Sequence, residues 1–148
     1  MIWTRDDYKQ AAIDRIGEAY AIRRVGRHVL AMFIAGLAAE CMLRAWHHLD
    51  RRFDERHDLV RLFGACDLEC LGDSAVRRLR PSVQIIHLLW RNSYRYAREM
   101  QVRNLLRELR LDRDVHRNAD KLKVKCGHLL DACSEVVTVG ADLWHKKP

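Results

Sequence analysis

The segment Trp90–Arg98, WRNSYRYAR, concentrates the side chains best suited to chemistry: Arg91, Asn92, Tyr94, Arg95, Tyr96 and Arg98. A guanidinium presents a planar fork of donors that matches phosphate or carboxylate oxygens, and the neighbouring aromatic rings are available for stacking. Projected on a helix, Arg91, Arg95 and Arg98 lie close together. The spacing therefore predicts one basic, ligand-facing strip, with Arg91, Arg95, Arg98 and Tyr94 as its binding residues.

The second candidate is an acid in the wrong surroundings. Over Arg27–Leu49, RHVLAMFIAGLAAECMLRAWHHL, apolar side chains point in nearly every direction of a helix, which requires burial on all sides. Between Arg27 and Arg44 the only formal charge is Glu40, and a buried carboxylate is expected to have a partner. Arg95, on the other strongly apolar helix, is the expected partner. Glu40 and Arg95 are thus read as a structural pair, with Arg91 and Arg98 left to face a ligand.

Other constellations are weaker. His47, His48, Asp50, Asp54, His57 and Asp58 resemble a metal cluster in composition, but their spacing fits no compact zinc signature. Helix ends explain the pattern equally well. Arg23 and His28 sit five residues apart at a helix junction and are read as a chance pairing; Arg110 and His116 lie in a polar stretch. Cys66 and Cys70 have no second Cys/His pair at zinc spacing, and all five cysteines read as small buried hydrophobes. No Gly-rich phosphate loop or nucleophile elbow is present. The expectation is no metal and no cofactor.

The elements that would position these residues are helical. With 148 residues, 49% hydrophobic content, 7 glycines and 2 prolines, the chain reads as one domain, residues 1–148, with too few turn residues for a sandwich or barrel. Thr4 should cap a first helix whose stripe is Tyr8, Ala12, Ile16, Ala19 and Tyr20. Gly26 separates it from the central helix. A short helix opens at His57-Asp58-Leu59, and Gly72-Asp73-Ser74 reads as a loop. Pro81 is placed to open a helix running through Ala97, with a second apolar stripe that suggests a further subunit. A final helix carries Leu122, Cys126, Leu129, Leu130, Cys133, Val136, Val137, Gly140 and Trp144. The predicted fold is all-α: an antiparallel up-and-down bundle of four main helices plus short additional ones.

Charge is lopsided. Residues 1–74 hold 11 Lys/Arg against 12 Asp/Glu, and residues 75–148 hold 16 against 8. The excess suits an RNA, a nucleotide or an acidic protein partner. A polar N-terminus, an odd cysteine count and an acid within the most apolar stretch point to a cytoplasmic protein with no membrane segment.

Three segments, in order, resemble a HEPN domain, a helical family often encoded beside nucleotidyltransferases. They are AGLAAECMLRA in the central helix, HDLVRLF at His57–Phe63, and WRNSYRYA at Trp90–Ala97. The resemblance implies a helical bundle that commonly dimerises, so a homodimer and a nucleotidyltransferase-type partner are expected. Many members are metal-independent ribonucleases, including toxins of toxin–antitoxin pairs, with an arginine and a histidine four to six residues apart. Here the histidine positions hold Tyr96 and Ala97, and tyrosine, with a pKa near 10, is a poor base at neutral pH. The expected reading is therefore a non-catalytic HEPN-like module that binds RNA, a nucleotide or an acidic partner through its arginine-rich second half. The alternative is an RNA endonuclease using Arg91, Asn92 and Tyr96 at a dimer cleft.

Overall fold

A computed structural model describes residues 3–47, 58–65 and 72–146. Among these residues the chain is an all-α helical bundle of six α-helices with no strand. Four are long: α1 (Arg5–Arg24), α2 (His28–Trp46), α4 (Asp73–Leu89) and α6 (Lys121–Asp142). Two are short: α3 (Leu59–Ala65) and α5 (Glu99–Glu108). Two 3-10 turns, Asn92–Tyr96 and Trp144–Lys146, complete the described elements.

Local chemistry explains the helix starts. Thr4 and Asp7 form a reciprocal capping box at α1, which satisfies donors that the first helical turn leaves open. Gly26, at φ +81°, makes the tight reversal into α2, a conformation glycine adopts without steric cost. Asp58 accepts from the Arg61 N–H at α3, and Asp120 accepts from the Lys123 N–H at α6.

Contacts between helices fix their directions. Arg5 Nε donates to Ala45 O at 2.7 Å, so α1 and α2 form an antiparallel hairpin closed at the other end by Gly26. Trp144 Nε1 donates to Asp6 Oδ1 at 2.9 Å and Tyr20 Oη to Asp131 Oδ1 at 2.8 Å, so α6 runs antiparallel to α1. Burial and the Asp131 carboxylate push the Tyr20 hydroxyl up to about 12. Cys126 Sγ approaches His28 O, and Trp46 Nε1 donates to Gly140 O at 3.1 Å; α6 therefore runs parallel to α2.

The central helix is buried on its small-residue side. Ala31, Ala35, Gly36, Ala38, Ala39 and Ala45 are all enclosed, together with Met32, Met42, Leu43 and Trp46. Small side chains let neighbouring backbones come close, and large ones from other elements fill the space. A Cβ at Gly140 would press on Met42, and a Cβ at Gly36 would overlap the Trp90 indole. By length and composition α2 could cross a bilayer, but 61% of its most apolar window lies inside the protein. That burial is what a core helix shows.

Three expectations about the fourth helix are corrected. Asp73 and Ser74 are helical, and Pro81 sits inside α4 rather than opening a helix. Ala75, Val76, Leu79, Val83 and Ile86 form one buried face on both sides of Pro81. Pro81 itself is exposed, so water can serve the carbonyl its ring leaves without a donor. The helix then ends at Leu89, not near Ala97, because Trp90 is extended at φ −96° and ψ 141°. Its side chain leaves α4 to enter the Gly36 notch. The remaining stripes are as expected in α1 and α6, where Ala12, Ala19 and all the named α6 positions up to Gly140 are buried.

Gly36→Ala should therefore cost about 1–3 kcal/mol, the usual loss on overpacking a filled site. Chemical denaturation with the α1 substitution Gly17→Ala as control checks this, since a Cβ at Gly17 meets nothing within 4 Å.

Candidate nucleic-acid interface

Residues 91–98 form a surface turn held from beneath by two aromatic anchors. Trp90 is buried, and its Nε1–H donates to Phe33 O of α2 at 3.2 Å. Tyr94 is 4% exposed and its hydroxyl donates to Leu89 O at 2.7 Å; burial raises its pKa. Backbone bonds Tyr94 N–H to Arg91 O and Ala97 N–H to Tyr94 O close the turn. Just after the second anchor the chain turns Arg95 and Tyr96 outward.

The predicted basic strip does not exist as a helix face. Arg91 bends back over the end of α4, where its Nη1 lies 3.1, 3.2 and 2.9 Å from the carbonyls of His87, Leu88 and Trp90. Those carbonyls lack donors at a helix C-terminus, and a cation there also meets the negative end of the helix dipole. Arg91 is thus a capping residue in this structure. Tyr94, expected to offer a ring for stacking, is instead an anchor. Arg98 is exposed at the N-cap of α5, where its N–H donates to Gln101 Oε1 at 2.7 Å.

Glu40 and Arg95 are not brought together. Glu40 is buried and accepts from Arg44 Nε at 2.8 Å, with a second, close contact from Arg44 Nη2. The partner is one helical turn away on α2 itself, a spacing that lets side chains meet. Arg95 instead donates to Asn92, through Nε to O at 3.3 Å and Nη2 to Oδ1 at 2.5 Å. Its guanidinium lies 5.6 Å from the Phe33 ring centre and 5.5 Å from that of Tyr96, a cation over two aromatic faces. No carboxylate pairs with Arg95 or Arg98 among the described residues.

The trio expected of a nuclease is also divided by its surroundings. Arg91 and Asn92 line a cavity of about 280 Å³ with Asp58, Leu59, His87 and Trp90. Tyr96 lies on a different groove of about 480 Å³, bordered by Ser93, Gln101, Asn104 and Glu108. Tyr96 is 80% exposed, so its phenol is a surface group. Sequence reasoning missed Phe33, Gln101 and Asn104. Phe33 carried no signal, because on an all-apolar helix one aromatic looks like the next; the amides lie on α5, beyond the motif.

The other candidates sort simply. Among the described residues no group of three His, Cys, Asp or Glu could hold a metal ion; His48, Asp50, Asp54 and His57, and likewise Cys66 and Cys70, lie outside the described residues. Cys41, Cys126 and Cys133 are free thiols, and burial raises the pKa of each. His116 Nδ1 accepts from Asn118 N–H within its loop. No family model, curated protein or solved structure matches this chain.

Because Glu40 pairs within α2, Glu40→Ala should destabilise by about 3–5 kcal/mol, the loss expected on leaving a buried partner uncompensated. A double-mutant cycle by denaturation should show coupling between Glu40 and Arg44. The cycle of Glu40 with Arg95 should be additive within about 0.5 kcal/mol.

Proposed function

We propose that the chain is a HEPN-like helical module without catalytic activity. It binds single-stranded RNA or a nucleotide at the exposed edge of the 91–98 turn. The observation that supports this most is Tyr96: an 80% exposed ring with the Arg95 guanidinium held beside it and, among the described residues, no carboxylate neutralising that cation. An open aromatic face accepts any base, and an adjacent arginine meets the phosphate that follows it. Gln101 and Asn104 border the same groove and supply amide N–H donors for base edges, their oxygens being engaged by Arg98 and Arg107.

The arginine-rich second half supports the same reading through long-range attraction of a polyanion. An acidic protein would use that attraction but has less need of an open stacking ring. Homodimerisation, with the exposed Ile85 and Leu88 of α4 as its apolar edge, belongs to this proposal. So do a cytoplasmic setting and a nucleotidyltransferase-type partner, both of which rest on the resemblance.

Fluorescence anisotropy with labelled single-stranded RNA in EDTA tests the reading. Tyr96→Ala should weaken binding about tenfold or more, since stacking on one ring is worth about 1–3 kcal/mol per base. Arg95→Ala should weaken binding and flatten its salt dependence. RNA binding that is absent, or indifferent to both substitutions, would overturn the proposal. Cleavage of the RNA that disappears in Arg91→Ala would overturn its non-catalytic part.

A further inference from the structure

At the opposite half of the sequence, three helix ends meet around a cavity of about 410 Å³. It is lined by Tyr20, Arg23 and Arg24 from the end of α1, Gly26 and His28 from the junction into α2, and Lys123 from the first turn of α6. Arg23, Arg24 and Lys123 make no ion pair among the described residues. His28 Nδ1 is buried without a hydrogen-bond partner. Four nitrogen-bearing side chains therefore line one cavity, three of them permanent cations, with no acid of the lining to balance them.

The backbone adds to the same field. The first turn of α2 has neither an acid nor a side-chain cap. Its first N–H groups and the positive end of its dipole are left for an acceptor from outside. The N-terminus of α6 is capped by Asp120, and the acids beside the cavity are already engaged. Asp120 accepts from Arg103 and from the Lys123 N–H, and Asp131 accepts from the Tyr20 hydroxyl. Arg23 packs against α6: a Cβ at Gly127 would stand 2.8 Å from its Nη2, so the guanidinium lies where that helix carries no side chain. Arg23 and His28, unremarkable as a sequence pair, are thus brought to one cavity by the Gly26 reversal.

We propose that this cavity is a binding site for a phosphate monoester. Three permanent cations match the near-double negative charge that a terminal phosphate carries at neutral pH. An internal phosphodiester carries only one charge and would need its chain to leave in two directions from a concave site. The arginines supply forked donors and Lys123 a mobile charge. The site uses no residue of the 91–98 turn and stands independently of the function proposed there.

Isothermal titration of the full chain with ribose 5-phosphate and with ribose tests the site, because neither carries a base for the 91–98 turn. The monophosphate should bind and ribose should not. Lys123→Glu, an exposed substitution, and Arg23→Gln should each weaken the monophosphate by about tenfold or more, the usual loss with a charge-assisted contact. Tyr96→Ala should leave that affinity unchanged, which separates this site from the turn. Two short RNAs, one 5′-phosphorylated and one ending in a 5′-hydroxyl, distinguish the sources. A preference for the phosphorylated end that Lys123→Glu abolishes assigns the site to RNA ends; its absence assigns it to small phosphate monoesters. Equal binding of ribose 5-phosphate and ribose would overturn the proposal. So would unchanged monophosphate affinity in a Lys123→Glu protein whose thermal unfolding matches the parent.

Discussion

The insertion of the Trp90 indole against Gly36 is the contact on which the surface of this bundle depends. Trp90 is large, buried and satisfied by the Phe33 carbonyl, and it can reach that carbonyl only because α2 has no side chain at position 36. Filling the notch requires the chain to leave helical geometry at Trp90. The extended backbone at Trp90 and Arg91, the capping of α4 by Arg91 and the outward turn of Arg95 and Tyr96 follow from that departure. A second tryptophan uses the same device. Trp46 donates to Gly140 O, so the helix that accepts one indole at its middle sends another into α6 from its end.

Arginines in this chain divide by what holds them. Arg44, Arg78 and Arg103 are paired with carboxylates, and Arg91 with carbonyls. These serve the fold. Arg95 and Arg98 on one side, and Arg23 and Arg24 on another, have no carboxylate partner among the described residues. Net charge alone does not make this distinction, because a capped or paired guanidinium counts the same as a free one. The first half of the chain, nearly neutral in sum, still supplies Arg23 and Arg24 without a carboxylate partner among the described residues.

The all-α bundle, the α1 cap, the Gly26 reversal and the α6 stripe were legible because each is written in local periodicity or local chemistry. The break at Trp90 was not. Apolar spacing continues smoothly from Val83 to Ala97, and helical projection cannot show that one ring is claimed by a glycine 54 positions earlier in the chain. Everything read from a helical strip at Arg91, Arg95 and Arg98 inherited that error. Pro81 misled in the opposite direction, because proline prefers a first turn but is tolerated where its missing bond faces water. Glu40 was correctly read as a buried acid in need of a cation. The partner was already present four residues on, at Arg44, and a local pair forms with less ordering of the chain than a distant one.

The most direct measurement of this account is hydrogen exchange at the Trp90 indole N–H, followed by NMR in the native protein and in Gly36→Ala. Slow exchange in the native protein, lost in Gly36→Ala while the Trp46 indole stays protected, is the predicted result. Exchange of the native Trp90 indole at the rate of an exposed ring would contradict it, because the turn would then have no anchor in the core.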